Sequence, residues 1–235
     1  MNIDAHHIEI ERLHARLTAS GKRVIAITSP TPGEGVTSLS VALAHRSLLA
    51  GRSTLLVDLN LERPAYGHLL EFESVKPSGL LGKPGLLVRH EQGEALAGIT
   101  APTRREVILK LRTPGILEEQ IGAWLEEYDN IILDTASMKH ESKDGIPSER
   151  VAAASDASLL VVMAGKSTEA IVWEAVERLE AAGANLLGCV LNNRDNPSLK
   201  NELLRETRRL EPRYSRLASM LRGWIRRNRL LSLET

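Results

Sequence analysis

The chain has 235 residues, 43% of them hydrophobic and 3% aromatic, which suits one large α/β domain, or one domain with an appendage, built on aliphatic side chains. Its formal net charge is zero, with 30 basic and 30 acidic residues, so the overall charge gives no support to nucleic-acid binding. It has neither a signal-peptide pattern nor an apolar run of the roughly 20 residues that span a bilayer, so we expect a cytoplasmic protein.

The predicted elements begin with an amphipathic helix over residues 2–19 and continue with strands that alternate with helices. Residues 74–106 are rich in Gly and Pro and predict loops with a short helix and a weak strand. The alternation predicts an α/β fold, a mostly parallel central sheet with helices on both faces. The predicted strands are nearly all apolar and span residues 24–28, 53–58, 130–134, 158–164 and 186–191; helices begin at Thr37 and span 117–128 and 168–182.

The single cysteine, Cys189, lies in the apolar run LLGCVLN of the last predicted strand. One cysteine excludes an internal disulfide, and its surroundings predict a buried free thiol in a reducing compartment.

The turn after the first strand has the frame of a phosphate-binding loop. Residues 29–35 read SPTPGEG and lead directly into a helix, so backbone N–H groups can hold an anion. The usual pattern is G-x-x-x-x-G-K-[ST], and Val36 stands where its lysine belongs, with a side chain that we expect to face the ligand. The predicted phosphate-binding residues are Gly33, Glu34, Gly35, Val36, Thr37 and Ser38.

Polar residues also follow three other predicted strands. Asp58 ends the second strand and Asn60 lies just beyond it, Asp134 ends the third, and Asn192 follows the fifth. Ligands of parallel sheets bind beyond the carboxyl ends of the strands. The sequence therefore predicts one nucleotide-type site at this edge, although Asn192 could simply end its strand.

Four segments together resemble the MinD/ParA-type P-loop ATPases and, more closely, the bacterial tyrosine kinase (BY-kinase) domain of exopolysaccharide and capsule synthesis. They are TSPTPGEGVTS, LLVDLNLERP, YDNIILDT and the run from ASLLVVMAGKST to GCVLNN. The resemblance implies ATP or ADP with Mg²⁺, a metal site at Thr37, Asp58 and Asp134, residual catalytic roles for Asp58 and Asp134, and nucleotide contacts at Asn60 and Asn192.

The same resemblance implies assembly. Glu9-x-x-Arg12, with Arg16 further on, loosely resembles the oligomer-forming helix of the kinases, which implies a homo-oligomer. The family also works with a membrane polysaccharide co-polymerase, which would place the chain at the periphery of the inner membrane.

Three departures from the kinase pattern predict a catalytically impaired pseudo-kinase. Val36 removes the loop lysine, Asn60 replaces a carboxylate that could accept a proton, and Tyr214 is the single tyrosine of a tail in which the family has a cluster. The alternatives are an active ATPase or tyrosine kinase with a rearranged site, in which Lys166 or Lys22 substitutes for the lysine, and a MinD/ParA-like positioning ATPase at a membrane.

The tail defines a second predicted segment, residues 196–235, after a domain of residues 1–195. It holds ten basic and four acidic residues, which give it a net charge of +6. Residues 214–235 predict a basic amphipathic helix that lies on an anionic membrane, docks into a partner or packs on its own domain.

Overall fold

The computed structural model describes residues 3–66, 71–72, 81, 84–88, 95–140 and 145–194, together with residues 207, 221 and 223–225. The chain divides into two compact units, Met1–Asn192 and Asn193–Thr235. Within the described part of the chain, no helix is long and apolar enough to cross a membrane.

The first unit alternates strands with helices along the chain. Its helices are α1 (Ile8–Ala19), α2 (Val36–Leu49), α3 (Arg105–Leu111), α4 (Ile116–Leu125), α5 (Ser148–Ala153) and α6 (Glu169–Ala181). Its strands are β1 (Val24–Thr28), β2 (Thr54–Asp58), β3 (Glu71–Phe72), β4 (Gly85–Val88), β5 (Ala95–Ile99), β6 (Asn130–Asp134), β7 (Ala157–Met163) and β8 (Leu186–Asn192).

The strands form one sheet in the order β3-β4-β5-β2-β6-β1-β7-β8. Neighbouring strands from β5 to β8 are parallel, whereas β3 pairs with β4, and β4 with β5, in antiparallel fashion. The predicted fold class, a mostly parallel sheet, is confirmed.

Helices bury both faces of the sheet, and successive strand residues point alternately to the two faces. On one side, strand residues such as Ile25 and Ile27 pack in one cluster with Ile10 of α1 and Leu39 and Leu43 of α2. The opposite side holds a second cluster in which Val24 and Ala26 of β1 join residues of α3, α4, α5 and α6. The helices therefore cover the sheet on both faces, as the sequence predicts.

The structure departs from the sequence prediction at the edges of the sheet. Residues 74–106, predicted as loops with a short helix and a weak strand, contain the strands β4 and β5, and the helix α5 was not predicted. Cys189 is exposed, so the prediction of a buried thiol is wrong. It lies on edge strand β8, where Leu187 and Leu191, two residues away on either side, are also exposed.

Most of the predicted basic helix of residues 214–235 lies outside the described residues. Leu221 and residues 223–225 are helical; Ile225 is buried and Trp224 is exposed.

Candidate functional site

The predicted site residues converge at the carboxyl ends of the central strands. Asp58 and Asp134 are register partners at the ends of β2 and β6, and the loop of residues 29–35 leaves the neighbouring strand β1. Asn192 ends β8, and its side-chain Nδ2 donates to the carbonyl oxygen of Glu34 at 2.8 Å, although 158 positions separate the two residues. Residues that are distant in the chain therefore meet here because the parallel strands all end at this edge of the sheet.

Two glycines set the path of the loop. Gly33 and Gly35 have φ values of 75° and 105°, a conformation that favours glycine. A Cβ on Gly35 would lie 2.6 Å from the Nδ2 atom of Asn192, so a larger residue would force that side chain to move away from Glu34. Gly35 precedes α2, whose amino end has no side-chain cap, which leaves backbone N–H groups oriented toward the loop.

Glu34 turns its side chain into the protein. Its carboxylate accepts hydrogen bonds from the hydroxyls of Thr31 and Ser167 and, at Oε2, from the backbone N–H of Met163 at 3.0 Å. The residue is completely buried. Its side chain thus fastens the loop to the end of β7, and only its backbone is available for the predicted phosphate contact.

Val36 is buried as well, and its side chain contributes to the hydrophobic core. It is 8% exposed and belongs to the hydrophobic cluster that contains Ile27, Leu39 and Tyr66. A valine can join this core because it carries no charge that would have to remain solvated. The first turn of α2 therefore presents no cation at position 36.

The two lysines proposed as substitutes lie at different ends of the sheet. Lys166, in the loop after β7, donates from Nζ to the carbonyl oxygen of Pro32 in the phosphate loop. Lys22 precedes β1, so the strand, about 16 Å long at 3.3 Å per residue, separates it from the loop. Lys166 therefore lies close enough to the loop to substitute for the missing lysine, whereas Lys22 does not.

Asp58 is occupied by backbone donors. Its Oδ1 accepts from the N–H of Asn60 at 2.9 Å, and its Oδ2 accepts from those of Ala65 at 2.9 Å and Tyr66 at 3.5 Å. Burial raises the pKa of Asp58, and these backbone bonds act in the opposite direction. The carboxylate therefore organises the turn that follows β2. Asn60 also stabilises this turn, because its Oδ1 accepts a hydrogen bond from the N–H of Arg63 at 3.1 Å.

Asp134 is paired with a tyrosine that sequence reasoning missed. The phenol of Tyr66 donates to Asp134 Oδ2 at 2.8 Å, and both residues are completely buried. Burial, followed by the charge of Asp58, raises the pKa of Asp134 to about 7, while the hydroxyls of Tyr66 and Thr37 lower it. Burial, followed by the charge of Asp134, raises the pKa of Tyr66. Nothing in the local sequence pattern marks Tyr66 as a partner of the third predicted strand.

A magnesium ion fits one part of this arrangement. Among the residues that the structure describes, the buried Oδ1 atom of Asp134 has no hydrogen-bond partner, so it could accept a bond from a cation. Mg²⁺ in P-loop proteins is held by a loop Ser or Thr and an acid at the end of a strand, here Thr37 and Asp134. When bound, the ion would neutralise phosphate charge. Asp58, the third predicted ligand, lies beside Asp134 at the end of β2, and its oxygens also accept backbone N–H bonds.

No protein-family model matches the chain. Tyrosine-protein kinase etk of Escherichia coli K12 is 30% identical over 191 residues, which cover 77% of this chain and 25% of that protein. Tyrosine-protein kinase CpsD of Streptococcus pneumoniae is 27% identical over 186 residues, 77% of this chain and 80% of that protein. The homologues of this chain are bacterial tyrosine kinases. The chain spans a quarter of the length of the first of these kinases.

The fold is shared with the same group of kinases and with MinD. The kinase domain of E. coli tyrosine kinase ETK matches with a TM-score of 0.60 and 23% identity over 80% of this chain and 75% of that one. The cell division ATPase MinD of Pyrococcus furiosus matches with a TM-score of 0.59 and 21% identity over 75% of this chain and 74% of that one. The predicted resemblance to a BY-kinase domain of MinD-like architecture is confirmed.

Proposed function

We propose that this BY-kinase-like chain is a catalytically impaired regulatory or assembly subunit of bacterial exopolysaccharide or capsule synthesis or export. The observation that carries the proposal is Val36, which stands in the lysine position of the phosphate loop and is buried in the core. A lysine there would contribute charge-assisted bonds, each worth about 1.5–3 kcal/mol, to phosphate binding, and its share would rise as charge develops in phosphoryl transfer.

The region after β2 supports the same proposal. A tyrosine kinase needs a group that accepts the proton of the substrate hydroxyl. Asn60 carries an amide, which cannot do so at neutral pH. Asp134 remains as a metal ligand, so weakened binding of ATP or ADP with Mg²⁺ is compatible with the loss of transfer.

Restoring the missing groups tests the proposal. We expect wild type to show no ATP hydrolysis or tyrosine phosphorylation above background, and Val36→Lys combined with Asn60→Asp to gain measurable hydrolysis. Val36→Met, which is unbranched but uncharged, is the matched control and should remain inactive. The proposal fails if wild type hydrolyses ATP and the lysine changes its rate little.

An active enzyme with a rearranged site is the second candidate, and the contact of Lys166 with the loop favours it. ATP turnover by wild type that depends on Lys166 would support this candidate. ATP-dependent association with membranes would instead support the MinD/ParA-like positioning function.

We further propose that the chain acts through partners. Its chemistry fits a cytoplasmic segment of a membrane polysaccharide co-polymerase, bound through the basic residues 214–235, and a homo-oligomer formed through α1. On α1, Glu9 Oε1 and Arg12 Nη1 form an exposed ion pair at 2.8 Å.

Co-sedimentation with anionic liposomes tests whether residues 214–235 bind a membrane or a partner protein. If the chain without residues 214–235 sediments as well as the full chain does, the tail is not a membrane anchor.

A further inference from the structure

The amino group of Lys166 lies on the middle of the phosphate loop. Its Nζ atom donates to the carbonyl oxygen of Pro32 and lies 3.2 Å from the position that a Cβ on Gly33 would take. The contact therefore joins the cation to the two residues at the centre of the turn. An exposed lysine would ordinarily keep its amino group in water, because the ammonium ion is strongly hydrated.

The backbone on both sides of Lys166 holds this position. Strands β7 and β1 are parallel neighbours, so the loops that follow them lie side by side. The N–H of Lys166 closes a turn on the carbonyl of Met163 at 3.2 Å. Met163 and Ser167, which flank the turn, both donate to the carboxylate of Glu34 in the phosphate loop. Lys166 is thus carried by a segment that is fastened to the loop at two points.

The charge of Lys166 is available to an anion. Among the described residues, no carboxylate forms an ion pair with it, and its partner Pro32 is a neutral acceptor. A phosphate oxygen accepts a stronger, charge-assisted hydrogen bond than a carbonyl does. Asp58 and Asp134 add negative charge at this edge of the sheet, so a phosphate held by backbone N–H groups alone would lack a neutralising side chain.

We propose that Lys166 binds the phosphate groups of a nucleoside di- or triphosphate held by residues 32–38, in place of the lysine that is absent at Val36. The cation then comes from the loop after β7 instead of from the first turn of α2. This inference rests on the proposed nucleotide site but is independent of whether phosphate transfer is impaired.

Calorimetric titration of the full chain with Mg-ADP and with adenosine tests the inference. We expect Lys166→Gln to weaken Mg-ADP binding by roughly 10- to 100-fold, the loss of one charge-assisted bond, and to leave adenosine binding unchanged. The salt dependence of Mg-ADP binding should also become shallower, because one phosphate contact is lost. Lys22→Gln, which removes the same charge at the opposite end of β1, is the matched control and should bind like wild type. Lys166→Arg should retain most of the affinity.

Several outcomes would overturn the inference. Equal Mg-ADP affinity in wild type and Lys166→Gln would do so. So would an equal loss of affinity for adenosine and for Mg-ADP together with a lower melting temperature, because that result would indicate that Lys166 only stabilises the loop. If wild type binds no Mg-ADP, the role of Lys166 fails while the pseudo-kinase proposal stands. If wild type hydrolyses ATP and Lys166→Gln abolishes it, the pseudo-kinase proposal fails while the role of Lys166 is supported.

Discussion

When Asp134 is replaced by Asn, the stability of the protein relative to wild type should be greater at alkaline pH than at acid pH. Burial raises the pKa of this carboxyl from 3.8 to about 7. Because the folded pKa exceeds the unfolded one, the folded state holds the proton more tightly, and stability is lost as pH rises from the unfolded pKa through the folded pKa. At about 1.36 kcal/mol per pKa unit, the ionised carboxylate opposes folding by about 4 kcal/mol above pH 7.

The experiment compares the free energy of unfolding of wild type and Asp134→Asn at pH 5 and pH 8 without Mg²⁺. The variant has a neutral side chain at both pH values, so any fixed cost of the new amide cancels in the comparison. The stability of the variant relative to wild type should rise by up to about 2.7 kcal/mol between the two pH values. For a domain of this size, that corresponds to roughly 5–10 °C in relative melting temperature.

A matched control is Asp129→Asn. Hydrogen bonds from Ser53 lower the pKa of this exposed carboxyl, so it is ionised at both pH values and its variant should show the same stability difference at each. An unchanged difference between Asp134→Asn and wild type from pH 5 to pH 8 would refute the reasoning. Mg²⁺ should selectively stabilise wild type at pH 8, since the ion favours the ionised carboxylate.

Three further predictions concern single residues. Tyr66→Phe removes the buried hydrogen bond to Asp134 and should lower the free energy of unfolding by about 1.5–3 kcal/mol at pH 8, measured by denaturant titration; an unchanged midpoint would contradict it. Gly35→Ala should destabilise the protein more than Gly51→Ala, because both glycines have positive φ but only the Cβ at Gly35 meets another residue; equal melting temperatures would refute the steric argument. Native Cys189 should react fully with a thiol reagent, more slowly than a free thiol because its pKa is raised by burial, and a lack of reaction would contradict its exposure.

The sequence predicted the central strands well because their apolar runs belong to a sheet covered on both faces. The strands β1, β2, β6, β7 and β8 were found within one or two residues of their predicted bounds. The sequence predicted the antiparallel edge of the sheet poorly. β4 and β5 each contain a glycine and gain their order from neighbouring strands, which a local pattern does not reveal.

The carboxyl-end location of the site also followed from the sequence, because parallel strands must end at one edge. The roles of individual side chains did not. Glu34, in a loop pattern that favours exposed phosphate contacts, points inward to Met163 and Ser167, which lie 129 and 133 positions later. Tyr66 meets Asp134 only because β2 and β6 are neighbours. Such pairs depend on strand order, which the sequence prediction did not specify.

The sequence by itself determined the parallel α/β architecture, the phosphate-loop frame and the absence of a lysine at Val36, because strand periodicity, glycine turns and residue identity are local properties. The tertiary structure decided that Val36 joins the core, that Cys189 is exposed and that Lys166, not Lys22, contacts the loop. These outcomes depend on which faces and strand ends meet in space, and burial and charge pairing are settled only by that packing.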